Sequence, residues 1–319
     1  MRGEPLLPDG RWALRTILGL FLIALSAALL ALVAIVLLSP ARPEPVPATA
    51  MPTSTPTSRA RSGRQTAVAT PGVEPVRCQE TIGQVAEETY FSDVSGAKQT
   101  YIVYVPPCYD VTTTRYPTIY LIHGAGVDDT HWERLGVFKV MDEGIQAGKR
   151  APAIIVLPSG DAELFMNTSG DPGSYEAQIA DELVPTVDNL FRTDPRPEMR
   201  AIGGISRGGV WSLEIGFRHP GLFNIVGGHS PCLNLNGAPP EFNPLKMTDR
   251  PTLKTQRIFL DAGDRDDCKI GADEQHRVLE NSGVAHVYKI WPGGHENALW
   301  EAHLGDYLDF YTQTWLKQQ

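Results

Sequence analysis

The stretch Arg200-Ala201-Ile202-Gly203-Gly204-Ile205-Ser206-Arg207-Gly208-Gly209-Val210 decides how the rest of the chain reads. Its first half is a short apolar run, and its second half opens an amphipathic segment that reaches Arg218. A G-x-S-x-G motif, Gly204 to Gly208, sits at the junction. A bare G-x-S-x-G arises by chance in roughly one chain in ten of this length, so its setting has to carry the argument. Strand, sharp turn and helix are the setting of a nucleophile elbow, where glycines let the chain turn at the serine and let helix and strand approach closely. The competing reading is a serine N-cap on an ordinary strand-to-helix turn. The ends of the neighbouring strands discriminate between the two.

Working outward, strand-like and helix-like segments alternate. Gln79–Phe91 and Thr100–Val105 read as a hairpin turned at Ser95-Gly96. Thr118–Ile122, Ala153–Leu157, Leu222–Gly228, Arg257–Ala262 and Ala285–Ile290 read as short buried strands. Thr130–Ala147, Ser174–Phe191, Ser206–Arg218, Gly271–Asn281 and Ala298–Leu316 carry helical periodicity. This alternation predicts an α/β fold with a mostly parallel central sheet and helices on both faces. Ligands of such sheets sit beyond the carboxyl ends of the strands, so chemistry belongs just after each strand.

Three further strand ends bear this out. His123-Gly124-Ala125-Gly126 follows the strand Thr118–Ile122, and the backbone N–H of Ala125, with that of Arg207, would make a two-donor oxyanion hole. His123 precedes the serine in the chain and reads as structural. Asp261-Ala262-Gly263-Asp264-Arg265-Asp266-Asp267 supplies the carboxylate that orients a catalytic histidine, with Asp264, Asp266 and Asp267 competing for the role. A calcium loop is the alternative for this acidic run, but its spacing breaks the D-x-[DN]-x-[DN]-G pattern. Trp291-Pro292-Gly293-Gly294-His295-Glu296 places His295 in a glycine-rich loop between the last strand and the last helix. Serine, acid, histidine is the chain order of α/β-hydrolases. His229 and His303 are the other histidines that could serve, while His219 and His286 read as structural or surface groups.

From Tyr175 to Pro231 the chain carries Ile179-x-Asp181-Glu182-Leu183-Val184-Pro185, then G-G-I-S-R-G-G, then His219-Pro220-Gly221-Leu222-Phe223. These motifs resemble the putative-esterase family of α/β-hydrolases, which includes esterase D, feruloyl and acetyl-xylan esterases, enterochelin esterases and the mycolyl transferases. The resemblance covers roughly residues 101–316. It implies an α/β-hydrolase fold, Ser206 as nucleophile and His295 as base. The family's G-x-x-D run falls on Gly263-Asp264-Arg265-Asp266, which implies Asp266 as the acid. Arg207 departs from the pattern, because family members more often carry an uncharged residue after the nucleophile.

The expected activity is therefore hydrolysis of carboxylic esters through an acyl-enzyme, with no cofactor and no metal. Carbohydrate or cell-envelope esters are the expected substrates. Two other readings stand beside it: an acyltransferase that moves the acyl group to a sugar hydroxyl, and a non-catalytic surface-binding module on the same fold. Trp132, Tyr175 and Trp291 lie near strand ends and are candidates to line a substrate pocket, the plainer reading being that they pack its rim. The long segment 231–255 is expected to cap the site.

Composition and the N-terminal region set the compartment. Hydrophobic residues make up 42% of the 319, enough for a sizeable core. Residues 1–76 carry seven Arg and four acidic residues, so of the net −9 about −12 falls on residues 77–319, against the basic face of a nucleic-acid binder. Ile17–Leu38 is an uncharged 22-residue run preceded by Arg2, Arg11 and Arg15. That predicts a signal anchor with residues 1–16 cytoplasmic and everything after it outside. A cleaved signal peptide is the alternative, with Ala48-Thr49-Ala50 as its processing site. Residues 39–76, with eight Pro and ten Ser/Thr, read as a disordered linker, which leaves 77–319 as the esterase domain. Outside the cytoplasm the four cysteines are expected to pair. Cys78 and Cys108 flank the first hairpin, and Cys232 and Cys268 follow strands whose loops open on the same face.

Overall fold

The computed structural model describes residues 78–167 and 169–318. Its strands are β1 (Gln84–Ser92), β2 (Ala97–Val105), β3 (Thr118–Ile122), β4 (Ile154–Pro158), β5 (Arg200–Ile205), β6 (Ile225–His229), β7 (Arg257–Gly263) and β8 (Val287–Trp291). They form one sheet in the order β1-β2-β4-β3-β5-β6-β7-β8. β1 and β2 pair antiparallel, β2 meets β4 antiparallel, and the rest are parallel. The principal helices are α1 (Val137–Gln146), α2 (the continuous run Tyr175–Ala177, Gln178–Leu183 and Val184–Leu190), α3 (Arg207–Arg218), α4 (Lys269–Asn281) and α5 (Asn297–Thr312).

The side-chain alternation of the strands divides the core into two layers. Tyr101, Val103, Tyr120, Ile122, Ile154 and Val156 face α2 and α3, where Ile179, Leu183, Val187, Trp211 and Phe217 cover them. Ile102, Tyr104, Ile119, Leu121, Ile155 and Leu157 face the other way, under Val137 and Met141 of α1 and Leu304, Leu308 and Tyr311 of α5. Helices therefore lie on both faces, as the alternation predicts. β3, β4, β5 and β6 are buried at every position, which is why their sequences are apolar runs rather than alternating ones.

Two helices differ from the reading of the sequence. The helix expected over Thr130–Ala147 breaks into His131–Arg134 and α1, because Gly136 adopts a left-handed φ of 90°. The middle of α2, Gln178–Leu183, is wound as a π-helix just ahead of Pro185. Proline has no N–H and presses on the carbonyl four residues back, and the wider turn relieves both. The segment 231–255 is a series of short 3₁₀ turns pinned to the core by Leu233, Met247 and Leu253.

The anchor Ile17–Leu38 and the linker 39–76 lie outside the described residues. Among the described residues no helix is long and apolar enough to cross a membrane. Both expected disulfides are present, Cys78–Cys108 and Cys232–Cys268, with Cα separations of 5.7 and 4.5 Å.

Candidate active site

Ser206 stands between β5 and α3 with φ 58° and ψ −117°, a conformation that non-glycine residues rarely adopt. Holding it there costs roughly 1–3 kcal/mol, which the surrounding packing has to supply. Glycine makes that packing possible. A Cβ on Gly204 would lie 2.2 Å from the carbonyl oxygen of Gly208, and one on Gly208 would lie 2.3 Å from that of His123. Backbone thus lies against backbone on both sides of the serine, and the elbow predicted from the motif is the observed local structure.

His295 reaches Ser206 from the loop between β8 and α5. The Ser206 hydroxyl donates to His295 Nε2 at 2.8 Å. On the opposite side of the ring, Nδ1–H donates to the Asp266 carboxylate at 2.9 and 3.1 Å. That partner leaves the Nε2 lone pair facing the hydroxyl. Burial alone would push the Asp266 carboxyl up, but hydrogen bonds from His295, Ser230 and the Cys268 N–H outweigh it and hold the carboxyl below the usual carboxylate range. A line of this kind can move a proton from hydroxyl to imidazole while a fixed carboxylate stabilises the imidazolium that results.

Burial and partners separate the three candidate acids, and only Asp266 meets His295. Asp266 is buried, whereas Asp264 and Asp267 are exposed. Asp264 instead accepts from the Gly293 N–H at 2.9 Å and pairs with Arg265 at 3.1 Å. Asp264 and Asp266 therefore point to different partners and do not converge as a calcium loop would require. His229 and His303 are also placed elsewhere: His229 is buried under the sheet ends, and His303 stacks on Trp291 and pairs with Asp306. His123 stacks on Phe165, and burial lowers its pKa, so it stays neutral.

The loop 123–126 lies beside the serine, since a Cβ on Gly124 would meet the Cβ of Ser206 at 3.6 Å. Ala125 is exposed there. The Arg207 N–H is the first of α3 and points out of the helix N-terminus, where donors have no intrahelical partner. The Arg207 side chain turns away, its Nε donating to the Phe165 carbonyl and its guanidinium lying over Trp211.

Two of the aromatic candidates for substrate contact do not reach solvent. Trp132 is 1% exposed, donates to the Ile122 carbonyl and packs against His229 and Tyr307. Tyr175 is 0% exposed, between Phe165 and Trp211. Both occupy core positions at the strand ends, facing into the layers rather than out of them. Trp291 is half-buried, with its N–H on Asp261 and its face on His303.

Comparison with known proteins gives the family of the chain. The model of a family described as putative esterase matches residues 92–311. The chain belongs to that family. An endo-1,4-beta-xylanase/feruloyl esterase of Xylanibacter ruminicola is 30% identical over 229 residues, covering 66% of this chain and 30% of that protein. Esterase Rv1288 of Mycobacterium tuberculosis is 27% identical over 243 residues, covering 60% of this chain and 51% of that protein. The chain thus spans between about a third and a half of these curated relatives. A solved ferulic acid esterase superposes with a TM-score of 0.66 at 25% identity, over 73% of this chain and 99% of the other.

Behind the site of this esterase-family domain lies a polar hub that the sequence reading passed over. The Asp261 carboxylate is fully buried and is hydrogen-bonded to His229 Nδ1 at 3.0 Å. It also accepts from Trp291 Nε1 at 3.0 Å and from the Tyr307 hydroxyl at 2.7 Å. It therefore joins β6, β8 and α5 to β7. The His229 carbonyl accepts the Ser206 N–H at 2.8 Å, and Trp291 leads into the His295 loop, so the hub touches the supports of both Ser206 and His295. His131 makes a second link: its Nδ1 faces the Gly124 N–H at 3.4 Å and its Nε2 pairs with Asn297 Oδ1 at 3.0 Å. Burial lowers the His131 pKa, so this link is made by a neutral ring.

Proposed function

We propose that the protein is an extracytoplasmic serine esterase that cleaves carboxylic esters, with Ser206 as nucleophile, His295 as general base and Asp266 as the acid that orients it. The observation that carries this reading is the hydrogen-bonded line from Asp266 through His295 to Ser206, ending at a hydroxyl held in a strained elbow. Ser206 Oγ attacks the ester carbonyl as its proton passes to His295 Nε2. The developing oxyanion lies between the backbone N–H groups of Ala125 and Arg207, each worth about 3 kcal/mol of barrier. The imidazolium then protonates the departing alcohol. Water, deprotonated by the same imidazole, releases the acid and restores Ser206.

For the substrate we infer esters of carbohydrate or cell-envelope hydroxyls, with hydroxycinnamoyl and acetyl groups as the first acyl groups to try. Relatives named feruloyl esterase support this class. So does the apolar run Ile17–Leu38, which as an anchor would hold the domain outside the cytoplasm on the linker 39–76. The test is turnover of 4-nitrophenyl acetate, 4-nitrophenyl ferulate and a feruloylated arabinoxylan oligosaccharide, with and without added sugar acceptor. Hydrolysis that S206A lowers at least ~10³-fold, together with loss of fluorophosphonate labelling, supports the assignment. S206A retaining a tenth of the activity overturns it. Acyl transfer outpacing hydrolysis when sugar is added would make the enzyme a transferase on the same residues.

A further inference from the structure

The Cys232–Cys268 disulfide does more than close a loop. The Sγ of Cys232 lies 3.5 Å from Ser206 Oγ and 3.9 Å from His295 Nε2. It thus touches both atoms between which the proton moves. Cys232 is half-buried while Cys268 is buried, so the cysteine beside the serine is the more open of the two. On the other side of the bond, the Cys268 N–H donates to Asp266 Oδ1 at 2.7 Å. As a disulfide sulfur, Cys232 has no proton to give and only a weak acceptor to offer, so it leaves the Ser206–His295 hydrogen bond undisturbed.

We propose that this disulfide is a redox gate on the esterase, closed to turnover when reduced because the freed Cys232 thiol captures His295. The inference rests on the reading of His295 as the base. A dithiol reductant breaks the S–S bond by two successive exchanges. Its two electrons pass to the cysteine sulfurs, each sulfur gains a proton, and the reductant leaves as its own cyclic disulfide. Cys232 then carries an S–H within reach of Nε2. That proton moves to the imidazole, giving a thiolate–imidazolium pair, and a neighbouring imidazolium stabilises a thiolate. The imidazolium has no lone pair for the Ser206 proton. The thiolate is carried by the segment after β6 and not by the turn between β5 and α3, so it does not take the serine's place at the elbow. Oxidation reverses each step, and an oxidising compartment keeps the gate open.

The experiment poises the wild-type protein in mixtures of oxidised and reduced dithiothreitol. At each mixture 4-nitrophenyl acetate turnover is read beside alkylation of Cys232 and Cys268 by peptide mapping. Activity is expected to fall at least tenfold along a two-electron curve that coincides with alkylation of this pair, while the fold persists by circular dichroism, and to return on reoxidation. Activity within twofold of the oxidised protein when both cysteines are alkylatable overturns the gate. C232A/C268A separates thiol capture from loosening of the Asp266 loop. It is expected to retain more activity than reduced wild type and to ignore the dithiol, and a variant as inactive as reduced wild type overturns capture. NMR titration of the His295 ring gives a readout without turnover: its pKa rises on reduction if capture occurs, and no rise overturns it. An oxidised protein inert toward every ester would sink the proposed function, while the ring titration would still decide the gate.

Discussion

Gly208→Ala tests whether the elbow is held by backbone contact. A Cβ at this position would meet the carbonyl oxygens of His123 and Ile122 at 2.3 and 2.4 Å. Ordinary carbon–oxygen contact is near 3.3 Å, so β3 and α3 have to part by about 1 Å. Neither partner is a flexible side chain that could swing aside. Overpacking of this kind costs about 1–3 kcal/mol of stability, a few degrees in melting temperature for a domain of this size. Its effect on catalysis is larger. Ala125 follows β3 and Arg207 opens α3, so parting the two elements shifts the proposed oxyanion donors as well, and a displacement of about 1 Å in a reacting constellation costs on the order of 10²-fold. G208A is therefore expected to remain folded and to lose about 10²-fold in kcat/KM on 4-nitrophenyl acetate, mostly in kcat. Gly209→Ala is the comparison. Its nearest contacts stand at 3.1 to 3.2 Å, so it needs only a few tenths of an ångström and is expected to lose less than tenfold. G208A within threefold of wild type would refute the argument that backbone contact sets the elbow.

Asp266→Asn is expected to lower kcat about 10⁴-fold, because the amide favours the wrong tautomer of His295, while D264N is expected to lose no more than about tenfold. Steady-state kinetics in which D264N is the worse variant would reverse that assignment. Burial pushes the Glu214 carboxyl up from 4.5 to about 8, so the stability that its neutral form contributes is complete below pH 4.5 and drains away as pH rises through about 8. E214Q keeps the acceptor for the Gly170 N–H and stays neutral, so its melting temperature should match wild type near pH 4.5 and exceed it at pH 9. Parallel curves from pH 4 to 9 would contradict this. The full chain is expected to sediment with membranes and a chain starting near residue 75 to be soluble and equally active. Aggregation of the shortened chain would count against an anchor set apart from the domain.

What was legible in the sequence was whatever depends on neighbours along the chain. The elbow is legible because the glycines that permit it flank Ser206 directly. His295 is legible because it lies in a glycine-rich loop at the end of the last strand. The mostly parallel sheet covered on both faces is legible because short apolar runs alternate with amphipathic segments along the chain, whereas the order of the strands is not. The acid is a different case. Asp264, Asp266 and Asp267 are equivalent by composition, and the residues alone left the choice open until family likeness pointed to Asp266. What separates them physically is burial and the direction each takes out of a loop, which depends on Asp264 being occupied by Gly293, twenty-nine residues away.

The aromatic residues and the polar hub show the complementary failure. A tryptophan or tyrosine near a strand end can face the mouth of the site or the layer beneath it, and local sequence does not say which. Trp132 and Tyr175 face the layer, because the short helix after β3 and the start of α2 turn those positions onto the sheet. Asp261 opens the acidic run in the sequence, but its importance lies in partners at positions 229, 291 and 307, on three other elements. A buried carboxylate with fewer partners would be costly, whereas one with three is held tightly and holds them in turn. Ser206 is hydrogen-bonded through its N–H to His229 and His295 lies four residues after Trp291, both of them partners of Asp261, so the 2.8 Å contact between them is set from beneath as well as by the side chains themselves.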